Sequence, residues 1–347
     1  MRSGSTASRK PGGLGRRRAI QAALAAGTMG GLARPALVRA QAVRVLRFGS
    51  PTPPGSTYNQ AMTIFADELA RLSGNKLKVQ LFPSSMLGSI KDMLQQVQLG
   101  TLSMCIAVPA WFAGFAKQMD VFSLPYLVSS QDRLRAALDG PFGQRIAGYA
   151  DGAGFKMMGW WVMGPRQTAN NLRPIHTPAD FKGMKIRVIN SPVFIKTFTA
   201  LGANPVGLDS AEMYLALQQH TVDGVENSDV DLINNKLQEV TKYYSATAHI
   251  MDLFGVAMNK ALWDGLPAEQ QQMAQQAMKA SMDAEWQAQP TATAANAAKL
   301  KAVLQSNELT PAEREAFVTA TRPIYKDFEG SIGADLIAQA IKELGPA

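Results

Sequence analysis

Along the N-terminal part of the chain, segments with the hydrophobic period of a β-strand alternate with segments that have the period of an α-helix. VRVLRFGS (43–50) predicts a first strand, and YNQAMTIFADELARLS (58–73) has the spacing of an amphipathic helix. KLKVQLFPSS (76–85) alternates as a second strand, and LSMCIAVP (102–109) is apolar enough for a third strand that is buried on both faces. Strands that alternate with helices in this way predict an α/β unit with right-handed crossovers.

The pattern predicts a second α/β unit later in the chain. GFKMMGWWVMG (154–164) predicts a strand that leaves the first unit, and turn residues cluster in RQTANNLRPI (166–175). KIRVI (185–189) predicts a strand, and SPVFIKTFTALG (191–202) predicts a helix. The C-terminal part is expected to be mainly helical, with a long run over 259–308. The resulting fold class is α/β with two lobes, and clefts between such lobes are common ligand sites.

Net charge points at first to an acidic partner, because the chain of 347 residues carries a charge of +8. Of the 35 Lys and Arg residues, eight lie in the first 42 positions, where no acidic residue occurs. The other 27 balance the 27 Asp and Glu residues, so the remainder of the chain is neutral. This distribution excludes the basic surface that nucleic acid binding requires.

The basic N-terminus has the form of an export signal. GRRRAIQ (15–21) precedes a mildly apolar, Ala- and Gly-rich stretch (19–37), and Ala40-Gln41-Ala42 is a small-x-small cleavage site. The arginine pair favours a twin-arginine signal over an ordinary Sec signal. We therefore expect residues 1–42 to be removed by cleavage near Ala42. The mature chain is expected in the periplasm without direct insertion into the membrane, since no later run could span it.

Signatures of catalysis and of metal binding are missing from the sequence. The three histidines have no metal-ligand spacing, and no nucleophile elbow, phosphate-binding loop or dinucleotide fingerprint occurs. Cys105 is the only cysteine, and its apolar surroundings predict a buried side chain rather than a nucleophile. We therefore predict a protein that is not an enzyme, with no catalytic residues, no metal and no cofactor.

Polar residues at the ends of predicted strands suggest a binding site. Arg166 follows the strand 154–164, Arg187 lies in KIRVI, and Asn227 ends TVDGVEN. Ligands of open α/β sheets lie beyond the carboxyl ends of strands, so these side chains could converge. Guanidinium and amide groups suit a small organic acid. The alternative for each arginine is a solvated side chain or a local pair with Glu226 or Asp223.

The spaced motifs of the second unit resemble those of a known family. They are G-x-R (164–166), D-F-K-G-M-K-I-R-V (180–188), L-G-A-N-P (201–205), E-M-Y-L-A-L-Q (212–218) and V-D-G-V-E-N (222–227). In this order they resemble the DctP-type solute-binding proteins of tripartite ATP-independent periplasmic (TRAP) transporters. LFPSSMLGS (81–89) and VFSLPYLV (121–128) extend the resemblance to the first unit.

This resemblance implies a bilobal periplasmic-binding-protein fold of the type II-like class, with hinge strands and a lobe-spanning helix at 259–289. It implies that Arg187 pairs with the ligand carboxylate and that Arg166 and Asn227 add contacts. The implied partners are a small organic acid and the small and large membrane subunits of a TRAP permease. The expected lobes are 43–163 plus about 253–290, and 164–252 plus about 291–347.

The first-lobe wall of the cleft is expected to be apolar and aromatic. Val108 and Trp111 are predicted ligand contacts. Neighbouring residues of a strand point to opposite faces, so only one of Trp160 and Trp161 can face the cleft, and we predict that it is Trp161. The alternative is that both tryptophans lie in the core. Val108, together with Pro51 and Ile90, replaces polar contacts that sialic-acid-binding members of the family carry, which disfavours sialic acid as the ligand.

Two other functions remain open from the sequence. The same fold could serve a sensor or scavenger that feeds no permease, and an enzyme built on this scaffold would have to turn over a bound acid. Neighbouring genes for the two membrane subunits would favour transport.

Overall fold

The computed structural model describes residues 43–346 together with Gly4. The predicted export signal, residues 1–42, otherwise lies outside the described residues. From Val43 onward the chain forms one compact unit.

The strands of the described chain form one continuous set. They are β1 (Arg44–Gly49), β2 (Leu77–Phe82), β3 (Met104–Ala107), β4 (Phe155–Asn170), β5 (Lys185–Val188), β6 (Asn204–Gly207), β7 (Gly224–Ser228), β8 (Tyr243–Ala246), β9 (Met251–Asn259) and β10 (Gln305–Glu308). Their order is β2-β1-β3-β9-β4-β7-β5-β6, and β8 joins β4 and carries β10. β1 runs parallel to β2 and β3, and β5 runs parallel to β6 and β7. β9 lies antiparallel between β3 and β4.

The α-helices of the described chain are numbered here in chain order. They are α1 (Thr57–Leu72), α2 (Ile90–Leu99), α3 (Pro109–Phe112), α4 (Gln131–Asp139), α5 (Pro141–Gly152), α6 (Pro192–Ala200), α7 (Met213–Gln218), α8 (Asp229–Asn234), α9 (Lys260–Asp264), α10 (Ala268–Val303), α11 (Pro311–Thr321), α12 (Ile324–Asp327) and α13 (Ala334–Leu344). Short 3-10 turns lie at Lys117–Ser123, Pro178–Phe181, Ser210–Glu212 and Leu237–Glu239.

Strand β4 belongs to both halves of the sheet and joins the two predicted lobes. Its part up to Pro165 pairs with β9, and its part from Arg166 onward pairs with β7 and β8. An irregularity in the pairing with β9 lies just before this change of partners, where Gly164 has a φ of 91°. The turn predicted from 166 onward is therefore wrong as far as Asn170, because buried pairing on both edges keeps these polar residues in a strand.

The long helix α10 confirms a lobe-spanning helix, although its bounds differ from the predicted 259–289. It packs against α1 on one side of the molecule and against α8 on the other. It continues through Pro290, which has no N–H to donate to the carbonyl of Trp286. The side-chain amide of Gln131 donates to that carbonyl instead, at 3.4 Å. The carbonyl of Trp286 thus accepts a hydrogen bond from a side chain outside the helix in place of the bond that Pro290 cannot make.

The C-terminal part is less helical than predicted. β8, β9 and β10 lie in it, and β9 is buried along almost its whole length. The last helix, α13, packs against α4 and α5 through Leu336 and Ile337. This helix thus contacts the segment 131–152, and the lobe bounds stay a prediction.

Cys105 lies within β3 with no exposed surface, and burial raises the pKa of its thiol. This environment agrees with an inert apolar side chain. Within residues 43–346, none of the helices combines the length and the hydropathy that crossing a bilayer requires.

We predict that Gly143→Ala destabilises the protein by about 1–3 kcal/mol, the usual range for overpacking. A Cβ at Gly143, in α5, would stand 1.9 Å from the carbonyl oxygen of Leu138, in α4, and backbone cannot yield as a side chain can. Urea unfolding followed by circular dichroism measures the change.

Gly148→Ala is the matched control, because it changes the same helix at an exposed position where a Cβ meets nothing within 4 Å. It should stabilise the protein by about 0.5–1 kcal/mol through helix propensity. Equal effects of the two substitutions would contradict the predicted contact with α4.

Candidate functional site

A cavity lies where the loops after β1 and β3 face the ends of β5 and β7. The space between its lining atoms is about 420 Å³, a figure that includes open solvent at the mouth. The lining residues are Pro51, Thr52, Ile90, Val108, Trp111, Met163, Arg166, Arg187, Ile189, Ser210, Met213, Asn227, Asp231, Asn235 and Phe254. The structure thus brings together five of the six predicted site residues.

The two sides of the cavity differ in chemistry. The apolar side is contributed by β9, by the start of α2 and by the segments that follow β1 and β3, through Pro51, Ile90, Val108, Trp111 and Phe254. The opposite side carries the arginines and the amides. A ligand here would have its charge on one side and its apolar surface on the other.

Arg187 is held in the cavity wall by its strand. Its neighbours Ile186 and Val188 are fully buried, and Arg187 as a whole residue is 2% exposed. Nε and Nη2 both donate to the carbonyl oxygen of Leu208, at 3.0 and 2.6 Å. No carboxylate among the described residues lies within 4.0 Å of the Arg187 guanidinium as an ion pair. Burial lowers the pKa of Arg187 to about 10, so the group stays charged at neutral pH.

Arg166 has the opposite environment, since acidic groups surround it. Glu226 accepts from both Nε and Nη2, and Asp252 accepts from Nη1 at 2.8 Å. Burial disfavours the charged guanidinium, but the two carboxylates outweigh it and raise the pKa of Arg166. The remaining Nη1 hydrogen meets only the sulfur of Met163 at 3.9 Å. Arg166 therefore offers a ligand at most this one weakly engaged donor, and its direct contact stays a prediction.

His249 completes the acidic network around Arg166. Its Nε2 lies 3.2 Å from Glu226 Oε2, and its Nδ1 lies 2.9 Å from the hydroxyl of Thr247. Burial lowers the pKa of His249, which favours the neutral ring. No local pattern predicts this contact, because His249 lies 23 positions from Glu226.

Asn227, at the end of β7, presents a donor to the cavity. Its Oδ1 accepts from the N–H of Ser228 at 2.9 Å, which fixes the orientation of the amide. Its Nδ2 reaches only the sulfur of Met213, at 3.7 Å. A ligand oxygen would be a far stronger acceptor than a thioether.

Val108 and Trp111 line the cavity as predicted, whereas Trp161 does not. The side chain of Trp161 is fully buried and packs against Phe48 at 6.1 Å between ring centroids. Trp160 points to the other face of the sheet and packs against Phe122. The interpretation of Trp161 as a ligand contact is corrected: both tryptophans lie in the core.

Several lining residues were not predicted. Two of them, Asp231 and Asn235, belong to α8 and the residue after it, which follow β7 directly. Their position just past a strand end was the available signal, but Asp231 resembled an ordinary acid in the first turn of a helix. For the described part of the chain, no group of three or more His, Cys, Asp or Glu side chains could hold a metal ion.

Comparison with known proteins gives one family for nearly the whole described chain. The family model of the bacterial extracellular solute-binding proteins, family 7 (DctP), matches residues 48–331. The 2,3-diketo-L-gulonate-binding periplasmic protein YiaO of Escherichia coli is 36% identical over 231 residues, which cover 67% of this chain and 70% of that protein.

Solved structures agree with the fold. A TRAP periplasmic solute-binding protein of Sulfurospirillum deleyianum, with bound succinate, has a TM-score of 0.83 and 28% identity, covering 87% of this chain and 99% of that chain. A TRAP periplasmic solute-binding protein of a Polaromonas species, bound to D-erythronate, has a TM-score of 0.82 and 28% identity, covering 86% and 98%. The bilobal α/β fold is thereby confirmed.

We predict that Glu226→Gln destabilises the protein by about 3–5 kcal/mol, because it removes the charge that two donors of Arg166 and the ring of His249 face inside the protein. Chemical unfolding at neutral pH measures the loss.

Glu68→Gln is the control, since Glu68 pairs with Arg71 at the surface, where ion pairs contribute little. Its midpoint of unfolding should stay near that of the unmodified protein. If Glu226→Gln is equally silent, the buried network does not hold β4 and β7 together.

Proposed function

The chain belongs to the bacterial extracellular solute-binding proteins of family 7, and from this premise we propose that it captures a small organic acid through Arg187. The ligand carboxylate pairs with the guanidinium of Arg187, and Asn227 donates to a neighbouring ligand oxygen. Trp111 and Val108 cover the apolar side of the bound acid.

One observation carries this proposal: Arg187 is a buried cation without an acidic partner in the described chain. A buried charge costs several kcal/mol unless a counter-charge and hydrogen bonds compensate it. Leu208 supplies only a carbonyl dipole. A carboxylate that enters the cavity supplies the missing charge, and the planar guanidinium suits its two oxygens. Arg166 needs no such ligand, because Glu226 and Asp252 already neutralise it.

The relatives support an acid as the ligand. The structural neighbours contain succinate and D-erythronate, which are both carboxylates. The E. coli relative is named for a sugar acid. The apolar contacts of Pro51, Ile90 and Val108 suit a ligand that is smaller or less polar than sialic acid.

The proposal also includes export and a membrane partner. We take residues 1–42 as the export signal, of twin-arginine type, and place the mature chain in the periplasm. There it hands its ligand to the small and large membrane subunits of a TRAP permease. Uptake of the acid by cells that produce both subunits, with and without this chain, separates a transporter receptor from a sensor.

We predict that Arg187→Ala weakens binding of the carboxylate by about 2–5 kcal/mol, the range for removing one partner of a buried charge pair. Arg187→Lys keeps the charge but loses the paired geometry, so it should bind with intermediate affinity. A thermal-shift screen over organic acids finds the ligand, because a binder stabilises the folded state. Titration calorimetry on the variants then gives the affinities.

Lys185→Ala is the matched control, since Lys185 lies two positions earlier on the same strand with an exposed side chain. It should bind the acid as the unmodified protein does. Unchanged affinity in a folded Arg187→Ala variant would refute the assigned role of Arg187.

A further inference from the structure

Asp231 places a negatively charged group in the cavity, which is also lined by the cations Arg166 and Arg187. Its side chain is 5% exposed and lines the cavity. Its Oδ1 is buried and makes no hydrogen bond within the described residues. A buried carboxyl oxygen without a donor costs free energy unless something in the cavity supplies one.

The local structure explains why this carboxylate is available. Ser228-x-x-Asp231 has the spacing of a capping box, in which the acid accepts from the N–H of the cap residue. Ser228 Oγ does accept from the N–H of Asp231, at 3.2 Å. The N–H of Ser228, however, donates to Asn227 Oδ1, at 2.9 Å. Asn227 thus takes the donor that Asp231 would otherwise use, and the carboxylate is left to the cavity.

The other acids near the cavity already have partners. Glu226 and Asp252 bind Arg166, and Asp229 accepts from the hydroxyl of Tyr244 at 2.7 Å. Asp231 differs from these three because its Oδ1 is buried and meets no donor among the described residues. It is therefore the acidic group that a ligand can meet directly.

We propose that Asp231 selects the ligand by accepting a hydrogen bond from a hydroxyl group of the bound acid. The ligand class is then a small hydroxy monocarboxylate. A dicarboxylate would bring a second negative charge against Asp231, which like-charge repulsion disfavours. This inference rests on the proposed function, since it takes the carboxylate to be held by Arg187.

Charges around Asp231 set the pH range in which the selection operates. Burial raises the pKa of Asp231 to about 7, Arg166 and Arg187 lower it, and Asp252 raises it. Tyr58 also lies close enough for the Asp231 charge to raise its pKa further, beyond the effect of burial. Because its pKa is raised, Asp231 carries its charge above about pH 7 and loses it below.

The test compares D-erythronate with succinate, a hydroxy monocarboxylate and a dicarboxylate with the same number of carbon atoms, by calorimetry at pH 8. The unmodified protein should bind D-erythronate more tightly. Asp231→Asn, which keeps the shape and removes the charge, should shift the ratio of affinities toward succinate by about tenfold or more. In the unmodified protein the ratio should fall as the pH is lowered from 8 to 6, and in Asp231→Asn it should not change.

Asp229→Asn is the matched control on the same helix, because Asp229 is equally buried but does not line the cavity. Its ratio should equal that of the unmodified protein. If Asp231→Asn does not fold, the pH series on the unmodified protein decides instead.

An unchanged ratio in Asp231→Asn, a flat pH series, tighter binding of succinate at pH 8, or no binding of D-erythronate by the unmodified protein would each overturn the role of Asp231. The proposed function fails separately, if the best acid of the panel binds as well to Arg187→Ala as to the unmodified protein.

Discussion

The guanidinium of Arg187, buried without a carboxylate among the described residues, is the constraint on which the site depends. Folding removes most of its water, and the hydrogen bonds that it makes within the described residues go to the carbonyl of Leu208. The strand that holds it is fixed on both sides by β6 and β7. The side chain therefore cannot leave for solvent without disturbing a buried strand, and the charge has to be compensated from the cavity. A buried positive charge without a carboxylate partner among the described residues is enough to make the cavity favour anions.

Arg166 lines the same cavity as Arg187 but has a structural role. Its guanidinium binds Glu226 and Asp252, and His249 contacts Glu226 from behind. This network joins β4 to β7 and β9 across the point where the two halves of the sheet meet. The two arginines are therefore not equivalent: one stabilises the frame of the site, and the other is available for binding.

The sequence predicted what depends on local period and on the order of motifs. The early strands and helices, the α/β class and the convergence of Arg187 with Asn227 follow from those patterns. β9 was missed because a strand buried on both faces has no alternation that separates it from a buried helix. The extension of β4 was missed because its polar residues find their partners far away in sequence, as Arg166 does in Glu226. Asp231 was missed because its spacing fits a capping box, and only the structure reveals that Asn227 occupies the donor.

Strand β4 runs without a break from one half of the sheet to the other, and its irregular pairing at Gly164 lies two residues before Arg166. Any rotation of one lobe against the other must twist this segment and the long helix α10 that packs along it. The twist would therefore act on residues next to Arg166, which lines the cavity. Rotation of the lobes and binding of an anion are therefore energetically coupled through the few residues between Gly164 and Arg166.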